Sequence, residues 1–370
     1  MRRHLLGVIV ILAGAVVTVA LAASAPGADA ETGVEVVVRV VPWSGGAATS
    51  SEVAFMQRVL RARLQASGFA GSVADGPAAR TIDLRIESPR VTARDISVLL
   101  DVARLDLYDL QPALVPPSRS SAGDAVPTRN LCSLLPPRRK YGAPAGYYLV
   151  SAACRLVVGP APTLHRQGRY GLPGLLDQFG GSVPSGDRVL ALPPQATVVT
   201  CSAVTTVVCP GDSSGVPPSG QIDYYLFKHG AYPGDRYGPY PSIGGEDVQA
   251  STVAADVDPT TGRPIVIFGF DTAGNATFRE VTRNEAQRGK KLGAGSACAV
   301  QCAFAIVLNS ELRSWPTIDP TFYPQGIDPS HGGVEITGVK TATAAQHLAA
   351  LIVSGTLPAR LVAVYERKLR

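Results

Sequence analysis

Two stretches decide the fold: FAIVLNSELRSWPTID (304–319) and GGVEITGVKTATAAQHLAALIVSGTLPARLVAVYERKLR (332–370). In the first, the apolar runs Phe304–Leu308 and Leu312–Ile318 flank Asn309-Ser310. Asn tolerates the left-handed backbone of a tight turn, so the pattern predicts a hairpin. In the second, Ala345, Leu348, Ala349 and Ile352 recur at three- and four-residue spacing, which predicts one buried helix face over Thr341–Ser354. Gly355 and Pro358 stop that helix, and Leu361–Tyr365 reads as a closing strand. Strand, turn, strand, helix, strand is an α+β pattern.

Upstream of the hairpin, Ala250–Asp256 and Pro264–Asp271 read as strands joined by the turn Pro259–Gly262. Phe278–Arg288 reads as a helix. Further back, Gln111–Gly220 is dense in Pro, Gly and Ser and holds four of the cysteines, with short strands over Tyr147–Val158, Arg188–Leu192 and Ala196–Val208. That composition predicts a loop-rich insert stapled by disulfides. Before it, Gly33–Pro42 is a β-branched run suited to a buried strand. Val53, Met56, Leu60 and Leu64 predict a helix over Ser51–Ser67. Thr81–Glu87 alternates strictly, with Ile82, Leu84 and Ile86 on one side. Thr92 and Asp95 have capping-box spacing ahead of a helix with Ile96, Leu99, Leu100 and Ala103 inward. Leu105–Leu110 is a further strand, and the series from Gly33 to Leu110 reads as one small α+β layer.

Hydrophobic residues are 46% of the 370 positions, enough for packed cores rather than global disorder. A net charge of +5 with scattered Lys and Arg gives no face for a nucleic acid. Arg2 and Arg3 precede Leu5–Ala23, which carries no charge. A basic start and an apolar run mark a membrane anchor or a secretion signal, with the bulk of the chain outside the cytoplasm. The run is long enough to span a bilayer as a helix. Ala28-Asp29-Ala30 before Glu31 has the form of a cleavage site, so a retained anchor and cleavage near Ala30 both stand. Six cysteines, Cys132, Cys154, Cys201, Cys209, Cys298 and Cys302, suit disulfides in an exported chain. Six cysteines allow many pairings; neighbours in sequence (132 with 154, 201 with 209, 298 with 302) are the simplest. Without a CxxC, and with His4, His165, His229, His331 and His347 dispersed, no metal site is expected.

The two opening stretches resemble SecD, the membrane subunit that assists the Sec translocon in protein export. Ala305–Asn309, Ser314–Ile318, Gly333–Gly338, Ala344–Ala350 and Gly355–Pro358 match, in order and spacing, an AIVLDG hairpin, a SxPxI strand, a GxxxITG turn, an EAxxLAxxLxxGALP helix and a GALP stop. The matching part is the end of that family's large first extracytoplasmic domain, a base and a head. Ile265–Phe270 and VTRNEAQRG (281–289) resemble the head, and QRVLRARLQASGF (57–69) and LDVARLDLYDL (100–110) the base. There are departures: Glu31-Thr32-Gly33 stands for the family's DLxGG, and Asn309-Ser310 for Asp-Gly. The sequence ends at Arg370, before the five further membrane helices that carry the family's proton path, so proton-driven pulling is not expected of these residues. The resemblance implies 1–30 as anchor or signal, 31–110 as a ferredoxin-like base, 111–220 as the insert, 221–358 as the head and 359–370 as the closing strand of the base.

It also implies a binding surface rather than a catalyst. Gly211-Asp-Ser213-Ser-Gly215 has a hydrolase-like spacing. Val216-Pro-Pro218 forbids the helix that a nucleophile elbow needs, and no fitting His motif precedes it, so no catalytic residue is expected. No cofactor motif is present either, and no small-molecule substrate is expected. Trp315, Phe322 and Tyr323, beside Pro316 and Pro324, are the candidate polypeptide-binding residues, with Phe304 and Ile318 as ordinary core. The expected partners are the Sec translocon or exported polypeptides, and the membrane through the N-terminal segment. The other reading is a secreted or anchored cell-envelope module that shares the fold but not the export role.

Overall fold

A four-stranded antiparallel sheet, with the last strand at one edge beside the first, carries the base. It is built from β1 (Gly33–Pro42), α1 (Ser50–Ala66), β2 (Gly71–Asp75), β3 (Thr81–Ile86), α2 (Ala93–Leu100) and the last strand, β16 (Ala359–Leu369). The computed structural model describes residues 33–42, 47–135, 146–162, 176, 181–202, 208–212, 221–229, 241–293, 299–331, 333–357 and 359–369. In β1, Val34, Val36, Val38 and Val40 face the helices and share a core with Met56, Leu60, Leu64, Ile82, Leu84, Ile96 and Leu99. Fully burying one such side chain is worth about 1.5–3 kcal/mol. Both base helices begin with the same device. Thr49 and Glu52 cap α1 reciprocally, and Thr92 and Asp95 cap α2 the same way, so Asp serves where Glu is usual. This β-α-β-β-α-β order, with the helices on one face, is ferredoxin-like. The closing strand is longer than the sequence suggests, because its pairing runs the full length of β1, from Gly33 opposite Leu369 to Pro42 opposite Ala359.

Between α2 and β16 lies the larger part of the described chain. The sequence reading groups Leu105–Leu110 with the base. In the structure β4 (Leu105–Asp109) leaves that layer and becomes part of a six-stranded sheet. The insert contributes β5 (Gly146–Val150), β6 (Leu156–Pro162), β7 (Arg188–Leu192) and β8 (Ala196–Ser202). Then come β9 (Ile222–Lys228), β10 (Ile243–Gly244), β11 (Ala254–Val257), β12 (Pro264–Phe268), α3 (Thr272–Lys291), β13 (Phe304–Leu308), β14 (Glu311–Ser314), β15 (Val334–Ile336) and α4 (Ala342–Ser354). The six strands run β10-β4-β13-β14-β8-β9, so a strand of the insert extends the head's sheet. The chain that follows β4 then closes the ring. Leu114 bridges Phe227 of β9, and Thr128 and Tyr224 exchange hydrogen bonds of 3.1 and 2.8 Å. Inside this barrel sit Tyr108, Val199, Cys201, Tyr225, Phe227, Val307 and Leu312.

Two further cores lean on the outside of the barrel. On one side α3, α4 and the sheet β11-β12-β15 enclose Phe268, Phe270, Phe278, Phe304, Ile306, Ile318 and Ile352. Phe304 and Ile318 are core, as the sequence reading expects. On the other side β5-β7 and Leu131, Leu134 and Leu135 cover Val198, Tyr224 and Leu226. Cys132–Cys154 and Cys201–Cys209 are disulfide-bonded, as the neighbour pairing expects. Cys302 is also disulfide-bonded, and Cys298 lies outside the described residues. So do the N-terminal segment 1–32 and Ser213–Gly215. Among the described residues no helix is long and apolar enough to cross a membrane.

Head and base meet at a buried arginine. Arg63 of α1 is 1% exposed. Its Nε donates to Ser354 Oγ (2.9 Å), and its Nη1 donates to the Leu99 carbonyl (2.9 Å) and to that of Asp101. Burial lowers its pKa to about 10 against the opposing pull of the Asp101 carboxylate. Beside it, Leu357 N–H donates to the Val102 carbonyl (2.9 Å), tying the two strands of chain that join head to base.

Candidate functional site

Among the described residues, the most exposed large aromatic group in the head stands on the turn after β14. Asp319 builds it: its carboxylate accepts from the N–H of Thr321 (2.7 Å) and of Phe322 (3.4 Å), and its carbonyl accepts from Tyr323 N–H (2.9 Å). These Asx-type bonds hold the backbone so that both aromatic side chains leave the protein. Phe322 is 78% exposed and Tyr323 47%. Gly326 then turns the chain back onto α3. Its φ is +80°, and a Cβ there would lie 2.3 Å from the Arg279 carbonyl oxygen, so only glycine fits. Ile327 N–H donates to Thr282 Oγ1 (2.8 Å), which pins the loop to the helix.

Trp315 is placed differently. It packs against the barrel core, is half-buried, and its indole N–H donates to the Val208 carbonyl. The structure therefore joins Phe322 and Tyr323 in one loop on α3 and holds Trp315 against the barrel. Of the two groups only the loop presents a largely solvated ring.

Two buried polar clusters escaped the sequence reading. At one end of the barrel, Arg104 pairs with Asp106 (3.0 Å) and donates to His229 Nε2. Arginine only donates, so Nε2 accepts, and the ring proton at Nδ1 faces the Tyr108 oxygen at 2.8 Å. Burial, then the Arg104 charge, pushes His229 down to about 3, so the imidazole stays neutral. In the second cluster Glu285 of α3 is fully buried, and neither carboxylate oxygen has a hydrogen-bond partner among the described residues. Burial, and then the neighbouring Asp109, pushes its pKa well above the usual carboxyl value. Asp109 itself is bound by Arg288, with Nη1 to Oδ2 at 2.9 Å. One signal was in the sequence: Phe278, Thr282, Glu285, Ala286 and Gly289 form the buried stripe of α3, so Glu285 is an acid on an apolar face.

Neither cluster has the form of a catalytic centre. No nucleophile is paired with a base in either, and among the described residues no grouping of His, Cys, Asp and Glu could hold a metal. Asn275 of the sequence NAT (275–277) is engaged in α3, its Nδ2 donating to the Phe270 carbonyl (3.3 Å).

Comparison with known proteins addresses this same region. Residues 236–359 match the SecDF P1 head subdomain. Protein translocase subunit SecD of Rickettsia felis is 34% identical over 127 residues, 34% of this chain and 20% of that protein. This part of the chain is thus similar to the head of SecD-family proteins. SecD of Rickettsia conorii matches with the same identity and coverage. The matched stretch thus spans 20% of the length of these relatives. A solved SecDF in its super-membrane-facing form aligns over 92% of this chain and 30% of that one, at 16% identity and a TM-score of 0.43. A solved SecDF structure, described as a membrane component that enhances protein export, aligns over 90% of this chain and 100% of that one, at 16% identity and a TM-score of 0.40.

Proposed function

We propose that this chain is an extracytoplasmic accessory of Sec-dependent protein export that holds emerging polypeptide on its SecD-type head. The observation that carries this reading is the match of residues 236–359 to the SecDF P1 head subdomain. The exposed pair Phe322 and Tyr323 supports it, because an extended chain is gripped by burial of its apolar side chains. Trp315 lends a second, flatter contact. Binding of this kind is reversible and needs no catalytic group or cofactor. Leu5–Ala23 tethers the protein to the cell membrane as a single span with the bulk outside, unless cleavage near Ala30 releases it. The base is the layer of β1, β2, β3 and β16, and Arg63 ties the head to it.

In-cell crosslinking of a tagged full-length chain, with photoreactive groups at positions 322 and 323, tests the reading. Recovery of translocon subunits or of exported polypeptides in transit is the expected result. Recovery of neither, with envelope components crosslinked instead, would leave the domain as a cell-envelope module of SecD fold and another role.

A further inference from the structure

The outer side of α3 carries Arg279, Arg283, Gln287 and Lys290, all exposed. They recur at four, four and three residues, so they lie along one line of the helix. No ion pair engages these three bases among the described residues. The aromatic turn stands directly beside this row. Gly326 lies against Arg279 and Arg283 of the helix backbone, and the Tyr323 carbonyl accepts from Gly326 N–H (3.0 Å). One margin of the row is therefore apolar and the row itself is basic.

We propose that this face of α3, with Phe322 and Tyr323 at its side, is a docking surface for an acidic, extended polypeptide segment with apolar side chains between its acids. This rests on the polypeptide-binding reading above and names the class of chain that the head prefers. The spacing carries it. Four residues of helix rise about 6 Å. Alternate residues of an extended strand advance about 6.6–6.8 Å. Carboxylates at every second position of a bound chain therefore meet Arg279, Arg283 and Gln287 in turn, while the side chains between them turn away, toward the rings. A planar anionic bilayer fits less well. It would meet the acids that flank the same surface together with the bases: Glu280 on the helix, and Asp319 and Asp328 on the loop. A single strand laid on the row meets Arg279, Arg283 and Lys290, with the neutral Gln287 between the last two, and leaves those acids to its sides.

The test uses the full chain held in nanodiscs of zwitterionic lipid, with fluorescence anisotropy as the readout. The probes are three labelled twelve-residue peptides in which Leu alternates with Glu, Gln or Lys, plus vesicles containing phosphatidylglycerol. At low salt the Glu peptide should bind at least about tenfold more tightly than the Gln peptide, and salt should erase the difference. Arg279→Glu with Arg283→Glu should abolish that preference and favour the Lys peptide. Phe322→Ser with Tyr323→Ser should weaken the Glu and Gln peptides alike. Equal binding of the Glu and Gln peptides, or a Glu preference that survives charge reversal, overturns the acidic assignment and leaves polypeptide binding standing. Failure of every peptide to bind overturns both. Vesicle capture that depends on Arg279 and Arg283, without a Glu-peptide preference, assigns the face to lipid and overturns the proposal.

Discussion

Glu285 is a carboxyl group that the fold keeps dry, and its cost has a definite sign with pH. Its native pKa lies well above the unfolded value because burial, and then Asp109, disfavour the charged form. The native state therefore holds a proton that the unfolded chain releases. Stability is greatest below the unfolded carboxyl pKa and falls as pH rises toward the native one, by about 1.4 kcal/mol for each unit of the gap. Glu285→Gln keeps the shape and removes the titration. It should raise the urea midpoint at pH 8 and leave it nearly unchanged at pH 4; an equal effect at both would mean that Glu285 is not the titrating group. Arg63 works the other way, since its charge is spent on carbonyls at the head–base contact. Arg63→Ala should cost about 2–4 kcal/mol, because acceptors are left buried without a donor. Unfolding followed by both head and base probes would show the two separating. Neither residue stands out by type alone. Glu285 shows only as an acid on an apolar helical stripe, and the partners of Arg63 come from segments far away in sequence.

Elements whose cause is local were legible, and elements held by distant pairing were not. The Thr92-capped start of α2, the apolar spacing of α1 and the alternation of β3 can be read within a few residues. The early turn of α3 was missed because Thr272-Ala-Gly-Asn275 is a poor helix former; the Asp271 carboxylate, accepting from Gly274 N–H at 2.8 Å, starts the helix instead. β10 and β15 are two and three residues long and exist only through their partners β4 and β12. The loop that carries Phe322 and Tyr323 is of both kinds, since Asp319 shapes its turn locally and Gly326 and Ile327 seat it on α3. Gly326→Ala tests that seating. A methyl group there meets the Arg279 carbonyl oxygen and also strains a positive φ, so the cost should be about 1–3 kcal/mol. The loop should lift from the helix while the basic row stays intact. Crosslinking through position 322 should fall, and the Glu-over-Gln peptide preference should persist. Loss of both together would mean that loop and row form one rigid unit.

At the scale of the molecule, what the sequence concealed is closure. β14 meets β8 in parallel, Glu311 opposite Thr200, across more than a hundred residues, and no local pattern announces such a pair. The Pro- and Gly-rich insert reads as a loop-rich piece with short strands, Ala196–Val208 among them, but nothing local says that this strand, β8, joins the head's sheet and places Cys201 in the barrel core. Cys132–Cys154 and Cys201–Cys209 test how much of the stability is closure. Cross-linking 22 residues, as Cys132–Cys154 does, limits the unfolded chain more than the 8 residues of Cys201–Cys209. Loop entropy alone gives about 3.4 against about 2.5 kcal/mol. Packing reverses that order. Cys201 and Cys209 are 0% and 1% exposed inside the barrel, so replacing both with Ala also opens a cavity where the walls are strands joined on both sides. Cys201→Ala with Cys209→Ala should therefore lower the urea midpoint more than Cys132→Ala with Cys154→Ala. Amide exchange in β1 and β3 should stay protected in both, because the base has its own core. The opposite order would mean that the barrel interior collapses onto the missing sulfurs. Loss of protection in β1 alongside the barrel would mean that the Arg63 contact binds head and base into one cooperative unit.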